Sequence, residues 1–310
     1  MPTPPFQIIA VDVSKDSLQI KTDSASFAVA ATPEGLAKLL KFIQKLQHPL
    51  VVCEATGGYE RHLINHLHKA KIASRVLNPA RIRAFAESEG MKAKTDPIDA
   101  EMIRRFAIEK EVQPAPEPTA LQQELTALMD RRSQITGEIA REKNRLQKAC
   151  KVIANSIKRT LKFAEAELKR LEKSIREKIA SNSTLTHYAK TMQSVSGVGE
   201  VTAWTILTYL SEITEIGRNQ LIAMAGVAPY NKDSGKKNGK RSIRGGRPKV
   251  RRALFMAAHT AAYSNAVIKP YVQGLMGRGK PYKCAIVAAM RKLLLHLQSL
   301  LKKSQFSLAS

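Results

Sequence analysis

The first third of the chain alternates short apolar runs with segments of helical spacing, and this alternation restricts it to an α/β fold. The run FQIIAVDV, from Phe6 to Val13, has the continuous apolar character of a buried strand. Two shorter β-type runs follow at once, SLQIKTD and SFAVAA, and then an amphipathic helix, PEGLAKLLKFIQKL, and another buried strand, PLVVCEA. Three consecutive strands followed by a helix and a strand predict a mixed sheet that opens with an antiparallel meander.

After this sheet the pattern predicts a helix over residues 59–70, a strand at KIASRVL and a helix from Pro97 to Ile108. The prolines of EVQPAPEPT, residues 111–119, cannot continue a helix and indicate a linker. Beyond the linker, apolar residues recur at heptad spacing in two phases that are separated by a break near Asn155. Two long helices packed as a coiled-coil hairpin fit this pattern, either as a spacer between domains or as a dimerisation arm. The heptad positions are Leu121, Leu125, Leu128, Ile135, Ile139 and Leu146, then Leu161, Leu168, Leu171 and Ile175.

The last part of the chain is again compact and opens with SVSGVGEVTAWTILTYL. A Gly-Val-Gly turn before an apolar helix is the sequence form of a helix-hairpin-helix, in which turn amides, here at Gly197 and Gly199, hold a phosphate. A plain tight turn between two helices has the same form. The predicted organisation is therefore α/β plus α: a mixed-sheet domain over residues 1–110, a proline linker and coiled-coil arm over 111–184, and a mainly helical domain over 185–310.

The charge of the chain calls for a polyanionic partner. Lys and Arg number 51 against 26 Asp and Glu, a formal charge of +25, and 44% of the residues are hydrophobic, so the chain is a folded protein and not a disordered basic tail. The three cysteines, Cys53, Cys150 and Cys284, lie far apart and support neither a disulfide framework nor a structural zinc. The N-terminus lacks signal-peptide character, and the charge-free run 253–268 is too short and polar to span a bilayer, so we expect no membrane partner.

Four acidic residues are placed differently from the others, most of which lie on helical surfaces. Asp12 and Glu54 each end an apolar strand, and Asp96 and Asp99 stand three apart on one face of a first helical turn. If the strands are neighbours and the helix crosses their ends, the four carboxylates converge and require divalent cations, magnesium or manganese. Two such ions about 3.5–4 Å apart clamp the attacking and leaving oxygens of a phosphodiester. Taken singly, Asp96 could cap its helix, and Glu54 and Asp12 could each hold a turn.

A second set of candidate residues lies in the glycine-rich basic run NKDSGKKNGKRSIRGGRPKVRR, residues 231–252, whose composition is typical of a loop that tracks phosphates. Its cations are Lys232, Lys236, Lys237, Lys240, Arg241, Arg244, Arg247, Lys249, Arg251 and Arg252. The run also contains Ser234 in Asp-Ser-Gly, where nearby cations favour an alkoxide that attacks phosphorus and leaves a phosphoserine. Ser242 is the competing hydroxyl, and composition does not choose between the two.

Taken together, these motifs resemble the DEDD-type insertion-sequence transposases of the IS one-ten (IS110) family, which also contains the Piv DNA invertases. The motifs AVDVSKD with Asp12, CEATGGYE with Glu54 and KTDPIDAEMIRRFA with Asp96 and Asp99 are similar to the family's RuvC-like (RNase H-like) N-terminal domain. SVSGVGEVTA, AGVAPYNKDSGK, RGGRPKVRRALFMAA and RGKPYKCAIVAAMRKLL resemble its C-terminal transposase domain. By this resemblance the nucleophile is Ser234, because the family's serine stands in the Ser-Gly that follows an Ala-Pro segment.

The resemblance implies a recombinase in which the four acids and Mg²⁺ or Mn²⁺ place and polarise the scissile phosphate while the serine attacks it. It also implies three kinds of partner: donor and target DNA, a structured noncoding guide RNA that pairs with both, and further copies of the chain in a dimer or tetramer. The expected location is the cytoplasm of a bacterium or archaeon, at the nucleoid. Two alternatives stay open: a Piv-like invertase without guide RNA, and a junction nuclease or nucleic-acid-binding protein in which Ser234 is dispensable.

Overall fold

The computed structural model describes residues 6–90, 96–230 and 242–309, with the side chains of 96–98 and 306–309 excepted. The chain divides into two compact units, Met1–Glu117 and Pro118–Ser310. The first unit holds five strands and four helices within its described residues: β1 (Gln7–Val13), β2 (Ser17–Lys21), β3 (Ser26–Ala30), α1 (Pro33–Ile43), β4 (Pro49–Glu54), α2 (Glu60–Lys69), β5 (Ala73–Leu77), α3 (Pro79–Ser88) and α4 (Asp96–Glu109).

The strands of the first unit form one mixed sheet in the order β3-β2-β1-β4-β5. The chain runs antiparallel from β1 to β2 and from β2 to β3, whereas β4 pairs parallel with both β1 and β5. This arrangement confirms the predicted mixed sheet with an antiparallel meander, and it is consistent with the RuvC-like domain that the resemblance implied. The central strands β1 and β4 are buried on both faces, which explains their continuous apolar sequences.

Helices cover both faces of this sheet. On one face, Val11, Val51 and Cys53 pack in a cluster with Leu39 of α1 and Leu67 of α2. A second cluster covers the other face and contains Ile8, Ala10, Leu50 and Val52 together with residues of α3 and α4, namely Ile82, Phe85, Met102, Ile103 and Phe106. Helix α3 was not predicted from the sequence, although it begins at Pro79 and is capped by Asn78, whose Oδ1 accepts a 2.9 Å hydrogen bond from the Ala80 amide.

The proline segment that follows α4 contacts the sheet domain. The amide of Ala115 donates a 2.9 Å hydrogen bond to the carbonyl of Ser74 in β5, and Val112 packs against the core beneath α4. This part of the predicted linker therefore belongs to the first unit, which extends to Glu117.

The second unit consists mainly of helices. Its described elements are α5 (Ala120–Gln147), α6 (Lys151–Ala180), α7 (Ser183–Gln193), α8 (Glu200–Tyr209), a 3₁₀ turn (Ser211–Thr214), α9 (Arg218–Met224), β6 (Pro229–Tyr230), β7 (Ser242–Ile243), α10 (Pro248–Ser264), α11 (Ile268–Gly277) and α12 (Tyr282–Ala309).

Helices α5 and α6 are the two long helices that the heptad spacing predicted, and they pack against each other. At one end of the pair, Leu125 and Met129 share a core with Ile175 and Ile179, and at the other end Ile139 clusters with Leu161. Arg132 bonds Glu172 at 3.0 and 2.8 Å between the two helices. The apolar seam is thus filled within one chain, and its base is part of the same core as α7 to α12.

The core of the second unit surrounds α12. Among the described residues, the stretch Tyr282–Gln305 is long and apolar enough to cross a membrane, with a mean hydropathy of 1.4, but half of it is buried. Leu293, Leu297 and Leu301 are fully buried among α7 to α11. Its apolar sequence is that of a core helix.

Candidate active site

The ends of two adjacent parallel strands carry the first two predicted acids. Strands β1 and β4 are in parallel register with Val11 opposite Cys53, so Asp12 and Glu54 follow at the same level. Residues at alternate positions share one face of a strand. Ile8 and Ala10 before Asp12, and Leu50 and Val52 before Glu54, pack in the cluster with α4. Asp12 and Glu54 therefore lie side by side on the sheet face that α4 covers.

Two ion pairs establish the direction of α4 across this face. Lys21, which is opposite Ala10 in the sheet, has its Nζ 4.0 Å from Glu101 Oε2. Three residues later in α4, Arg104 pairs with Asp23, which lies beyond Lys21 and therefore towards the start of β1. Since advancing along α4 means moving back along β1, the helix runs antiparallel to the strand and begins at the strand's carboxyl end.

The start of α4 is consequently level with the acidic strand ends. Glu101 of α4 lies at the level of Ala10 in β1. From Glu101, Asp96 is about 7.5 Å back along the helix, and from Ala10, Asp12 is about 6.6 Å forward along the strand, so the two aspartates lie at a similar level. Asp99 stands one turn before Ile103, whose side chain packs against the sheet, so both share the sheet-facing side of α4.

The described carboxylates do not by themselves complete a metal site. Asp12, Glu54 and Asp99 are each half-buried. Within the parts of the chain that the structure describes, no group of three or more His, Cys, Asp or Glu side chains is placed to hold a metal ion. The side chain of the fourth acid, Asp96, lies outside the described residues. The donors are nevertheless of the right chemistry, because carboxylate oxygens partly withdrawn from solvent suit magnesium or manganese.

The nearby carboxylates also affect the pKa of the Cys53 thiol. Burial, followed by the charges of Glu60, Asp12 and Glu54, raises the pKa of Cys53 to about 12. The thiol is therefore neutral at physiological pH and packs as a small apolar side chain on the opposite face of the sheet.

The carboxylate that holds the turn after Glu54 is Glu60, a residue that the sequence analysis did not select. Its Oε2 accepts hydrogen bonds from the amides of Thr56 and Gly58, at 3.0 and 2.8 Å, and from the Thr56 hydroxyl at 3.2 Å. Burial acts to raise the pKa of Glu60, but backbone and hydroxyl hydrogen bonds outweigh it and lower this pKa. The signal was a Glu at the start of α2 after a Gly-Gly turn.

The predicted nucleophile and half of the predicted basic loop lie outside the described residues. These positions are Ser234, Lys232, Lys236, Lys237, Lys240 and Arg241. The described residues on either side are held together, because Tyr230 of β6 pairs with Ser242 of β7 in an antiparallel ladder. Ser242, the competing hydroxyl, is exposed at this ladder.

The described cations of the basic run fall into two groups. Arg247 forms a bidentate ion pair with Glu212, at 2.6 and 2.8 Å, and donates a 2.6 Å bond to the Tyr209 carbonyl. Lys249 pairs with Asp130 and lies 4.5 Å from the centre of the Tyr209 ring. These two cations thus hold the end of the run to the helical core.

The remaining described cations are more accessible. The Arg244 guanidinium lies 4.9 Å from the centre of the Tyr230 ring, and both Arg244 and Arg252 are exposed. Arg251 donates from Nη1 to the Gly245 carbonyl. Arg244 and Arg252 are the described cations of the run best placed to meet a phosphate.

Two glycines, Gly226 before the basic run and Gly246 within it, allow a close approach of two backbones within the protein. Gly226 and Gly246 have φ of 71° and 64°, and a Cβ on either would overlap the backbone of the opposing turn, Gly245 for Gly226 and Gly226 for Gly246. The next amide, Arg247 N–H, donates a 2.8 Å hydrogen bond to the Met224 carbonyl. Gly246 therefore admits the backbone of the chain itself at this position.

The Gly-Val-Gly turn joins α7 to α8, and its two glycines have different surroundings. A Cβ on Gly197, where φ is 98°, would lie 2.6 Å from the Ala261 Cβ, so this glycine is needed for packing against α10. Gly199 caps α8 and has open space around it. The adjacent Glu200 is bonded to Arg176 at 2.9 to 3.2 Å, and the pKa of Glu200 is lowered by this hydrogen bond. The turn therefore carries a negative charge next to the amide that was expected to bind phosphate.

Comparison with known proteins gives matches in both units. Residues 9–154 match the DEDD transposase model of the IS110 group, and residues 189–273 match the model of the IS116/IS110/IS902 transposase family. The pilin gene-inverting proteins of Moraxella bovis and Moraxella lacunata are 29% and 28% identical to this chain over 253 residues. Each alignment covers 79% of this chain and 77% of the relative. The first family match includes all four predicted acids, and the second includes Ser234 and the basic run.

Proposed function

The chain belongs to the IS110 family of transposases, and from this premise we propose that it cuts and rejoins DNA strands with a carboxylate-bound metal and a serine nucleophile. The single observation that carries the proposal is the placement of Asp12 and Glu54 side by side on adjacent strand ends, level with the start of α4, which holds Asp96 and Asp99. A sheet edge that gathers acids from three separate segments in so basic a chain supports a phosphodiester-cutting site.

The four acids are the proposed metal ligands. Magnesium or manganese bound there would neutralise charge on the scissile phosphate and orient it for attack. The protein contributes the rigidity of the site, because Asp12 and Glu54 extend from two buried strands and are fixed by their ladder. The half-burial of these carboxylates limits the water that competes for the same oxygens.

Ser234 is the proposed nucleophile. Its hydroxyl oxygen forms a bond to phosphorus while the bond from phosphorus to one DNA ester oxygen breaks, and the proton of the serine ends on the departing oxygen. One phosphoester replaces another, so the cut end stays bonded to the protein and rejoining needs no external energy source. The cations of the basic run favour the developing negative charge.

A structured noncoding guide RNA and a homo-oligomer complete the proposed assembly, which acts in the cytoplasm on donor and target DNA. The net charge of +25 supports an assembly that holds both RNA and DNA. The heptad residues pack between α5 and α6 of one chain, so they are not the proposed oligomer contact. We place that contact at two exposed apolar residues beside the α5–α6 connection, Val152 and Ile153, which are 88% and 50% exposed.

The test is incubation of the full chain with end DNA of the element and Mg²⁺, followed by a denaturing gel for a protein-DNA adduct. Asp12→Asn and Glu54→Gln should each abolish the adduct, and Ser234→Ala should abolish it while DNA binding persists. Glu101→Gln is the matched control, because Glu101 is an acid on α4 that is engaged by Lys21 and Arg104. Cleavage that proceeds normally in the Asp12 and Glu54 variants would refute the metal site, and an adduct in the Ser234 variant would refute the nucleophile.

A second candidate function is site-specific DNA inversion by the same site without a guide RNA. It is favoured by the two relatives, both of which are pilin gene-inverting proteins. A plasmid with two inverted recombination sites separates the functions: inversion by the protein alone supports the invertase, whereas dependence of strand exchange on an added noncoding RNA supports the transposase. Strand cutting that survives Ser234→Ala would instead support a junction nuclease.

A further inference from the structure

One face of α10 presents aromatic rings to solvent. Phe255, His259 and Tyr263 follow one another at intervals of four residues and form a row that we call the aromatic stripe. The rings of Phe255 and His259 are parallel within 4°, with centroids 6.4 Å apart, and the rings of His259 and Tyr263 meet edge to face at 5.4 Å. Tyr263 is 66% exposed and Phe255 is 38% exposed. The aromatic stripe was not predicted from the sequence, although the four-residue spacing of its members is visible there.

The rings of the aromatic stripe are not part of the core of the second unit. The opposite side of α10 supplies the core with Val250, Leu254, Ala257, Ala258 and Ala261, all buried. The stripe is also held in a fixed arrangement, because His259 Nδ1 and the Tyr282 hydroxyl are 2.6 Å apart in a hydrogen bond. A prearranged aromatic surface on solvent is typical of a binding site for flat ligands.

The charge around the stripe restricts what can bind it. From residue 242 to the end, the sequence contains 13 Lys and Arg and no Asp or Glu. Arg252 is exposed one turn before Phe255 and Met256 on the same side of α10, and the exposed Arg278, Lys280 and Lys283 precede or follow Tyr282. A second copy of this face would bring like charges together, whereas a polyanion with flat apolar groups is complementary to both the charges and the rings.

We propose that the aromatic stripe binds unpaired bases of single-stranded DNA, which stack on Phe255 and Tyr263 while flanking cations contact the phosphates. A duplex does not fit this surface equally well, because its base faces are hidden in the helix stack and only its phosphates are accessible. The inference rests on the proposed function, in which cutting and exchange of strands expose unpaired DNA. It assigns α10 the task of holding such a strand.

The test measures equilibrium binding of the full chain by fluorescence anisotropy. The probes are a labelled oligothymidylate of about 12 nucleotides, a length within the usual site sizes of single-strand binders, an oligouridylate of equal length and a duplex of equal length. Phe255→Leu and Tyr263→Leu remove the rings and keep apolar surface. Each should weaken oligothymidylate binding about fivefold or more, the lower end of the range for one base stack, and leave duplex binding within about twofold of the original protein.

The matched control is Phe163→Leu, the same substitution at a phenylalanine of α6 that is 70% exposed, and it should bind all three probes as the original protein does. Circular dichroism melting shows whether each variant is folded. The inference would be overturned if the ring variants lost affinity for duplex and single strand equally, lost no affinity at all, or changed their oligomeric state. It would also be overturned if the original protein bound oligouridylate more tightly than oligothymidylate. An original protein that binds neither duplex nor single strand would instead refute the proposed function.

Discussion

The ion pair between Arg247 and Glu212 yields a prediction that separates structural cations from nucleic-acid-binding ones. Composition placed Arg247 in a phosphate-binding run, but in the structure its guanidinium makes three hydrogen bonds, at 2.6, 2.8 and 2.6 Å, to Glu212 and the Tyr209 carbonyl. Arg252, five residues later, is exposed. We therefore expect Arg247→Gln to destabilise the second unit and Arg252→Gln to weaken binding of DNA.

The magnitude follows from the geometry and the exposure of the pair. Hydrogen bonds to charged groups contribute roughly 1.5–3 kcal/mol when buried, and surface ion pairs about 0–1 kcal/mol. The side chains of Arg247 and Glu212 are 37% and 31% exposed, so we expect a loss of about 1–2 kcal/mol, between these limits. For a unit of this size, about 150–250 residues, that loss lowers Tm by about 2–8 °C.

The assay combines thermal melting with the salt dependence of duplex binding. Arg247→Gln and Glu212→Gln should lower Tm by similar amounts, and the double variant should be less destabilised than the sum of the two, because both changes remove the same contact. Arg252→Gln should leave Tm unchanged and reduce the slope of log affinity against log salt by about 0.9, the value for one phosphate contact. An unchanged Tm together with a reduced salt slope in Arg247→Gln would refute the structural role of Arg247.

Three further predictions concern packing and pH. Gly197→Ala should lower Tm by several degrees, because its Cβ would collide with Ala261 at a φ of 98°, while Gly199→Ala at an open position with φ of −87° should not; equal melting of the two variants would contradict this. Leu125→Glu should unfold the second unit, because Leu125 is fully buried there, whereas a Val152→Glu/Ile153→Glu variant should keep the fold and reduce the oligomer in sedimentation. A folded Leu125→Glu protein that has only dissociated would restore the heptad seam as an intermolecular contact. The pKa of Glu60 is lower in the folded protein than in the unfolded chain, so ionised Glu60 stabilises the fold above its unfolded pKa, and this stabilisation is lost as the pH falls through the folded pKa. Below pH ~4.3 the Tm of the original protein should therefore fall more steeply with pH than the Tm of Glu60→Gln. Parallel curves of Tm against pH would show that the Glu60 contacts contribute nothing to stability.

The strands, their meander and the long helices can be predicted from the sequence, because apolar periodicity is a local property of each segment. The sequence also locates Asp12 and Glu54 at strand ends, since an acid that terminates an apolar run is visible without knowledge of its neighbours. Helix α3 was not predicted, because its two buried residues, Ile82 and Phe85, are too few to give a recognisable apolar periodicity.

Which of these residues come into contact depends on how the strands and helices pack in three dimensions. Asp12 lies beside Glu54 because β1 pairs in parallel with β4, whose paired residues lie 42 positions further along the chain, beyond the antiparallel strands β2 and β3. Arg247 and Lys249 look like their neighbours in sequence, and they are engaged within the protein because the fold brings Glu212, Asp130 and Tyr209 next to them. Likewise, the heptad residues could pack equally well against a partner chain. They pack against one another because a short connection joins α5 to α6, so that pairing within one chain costs little entropy.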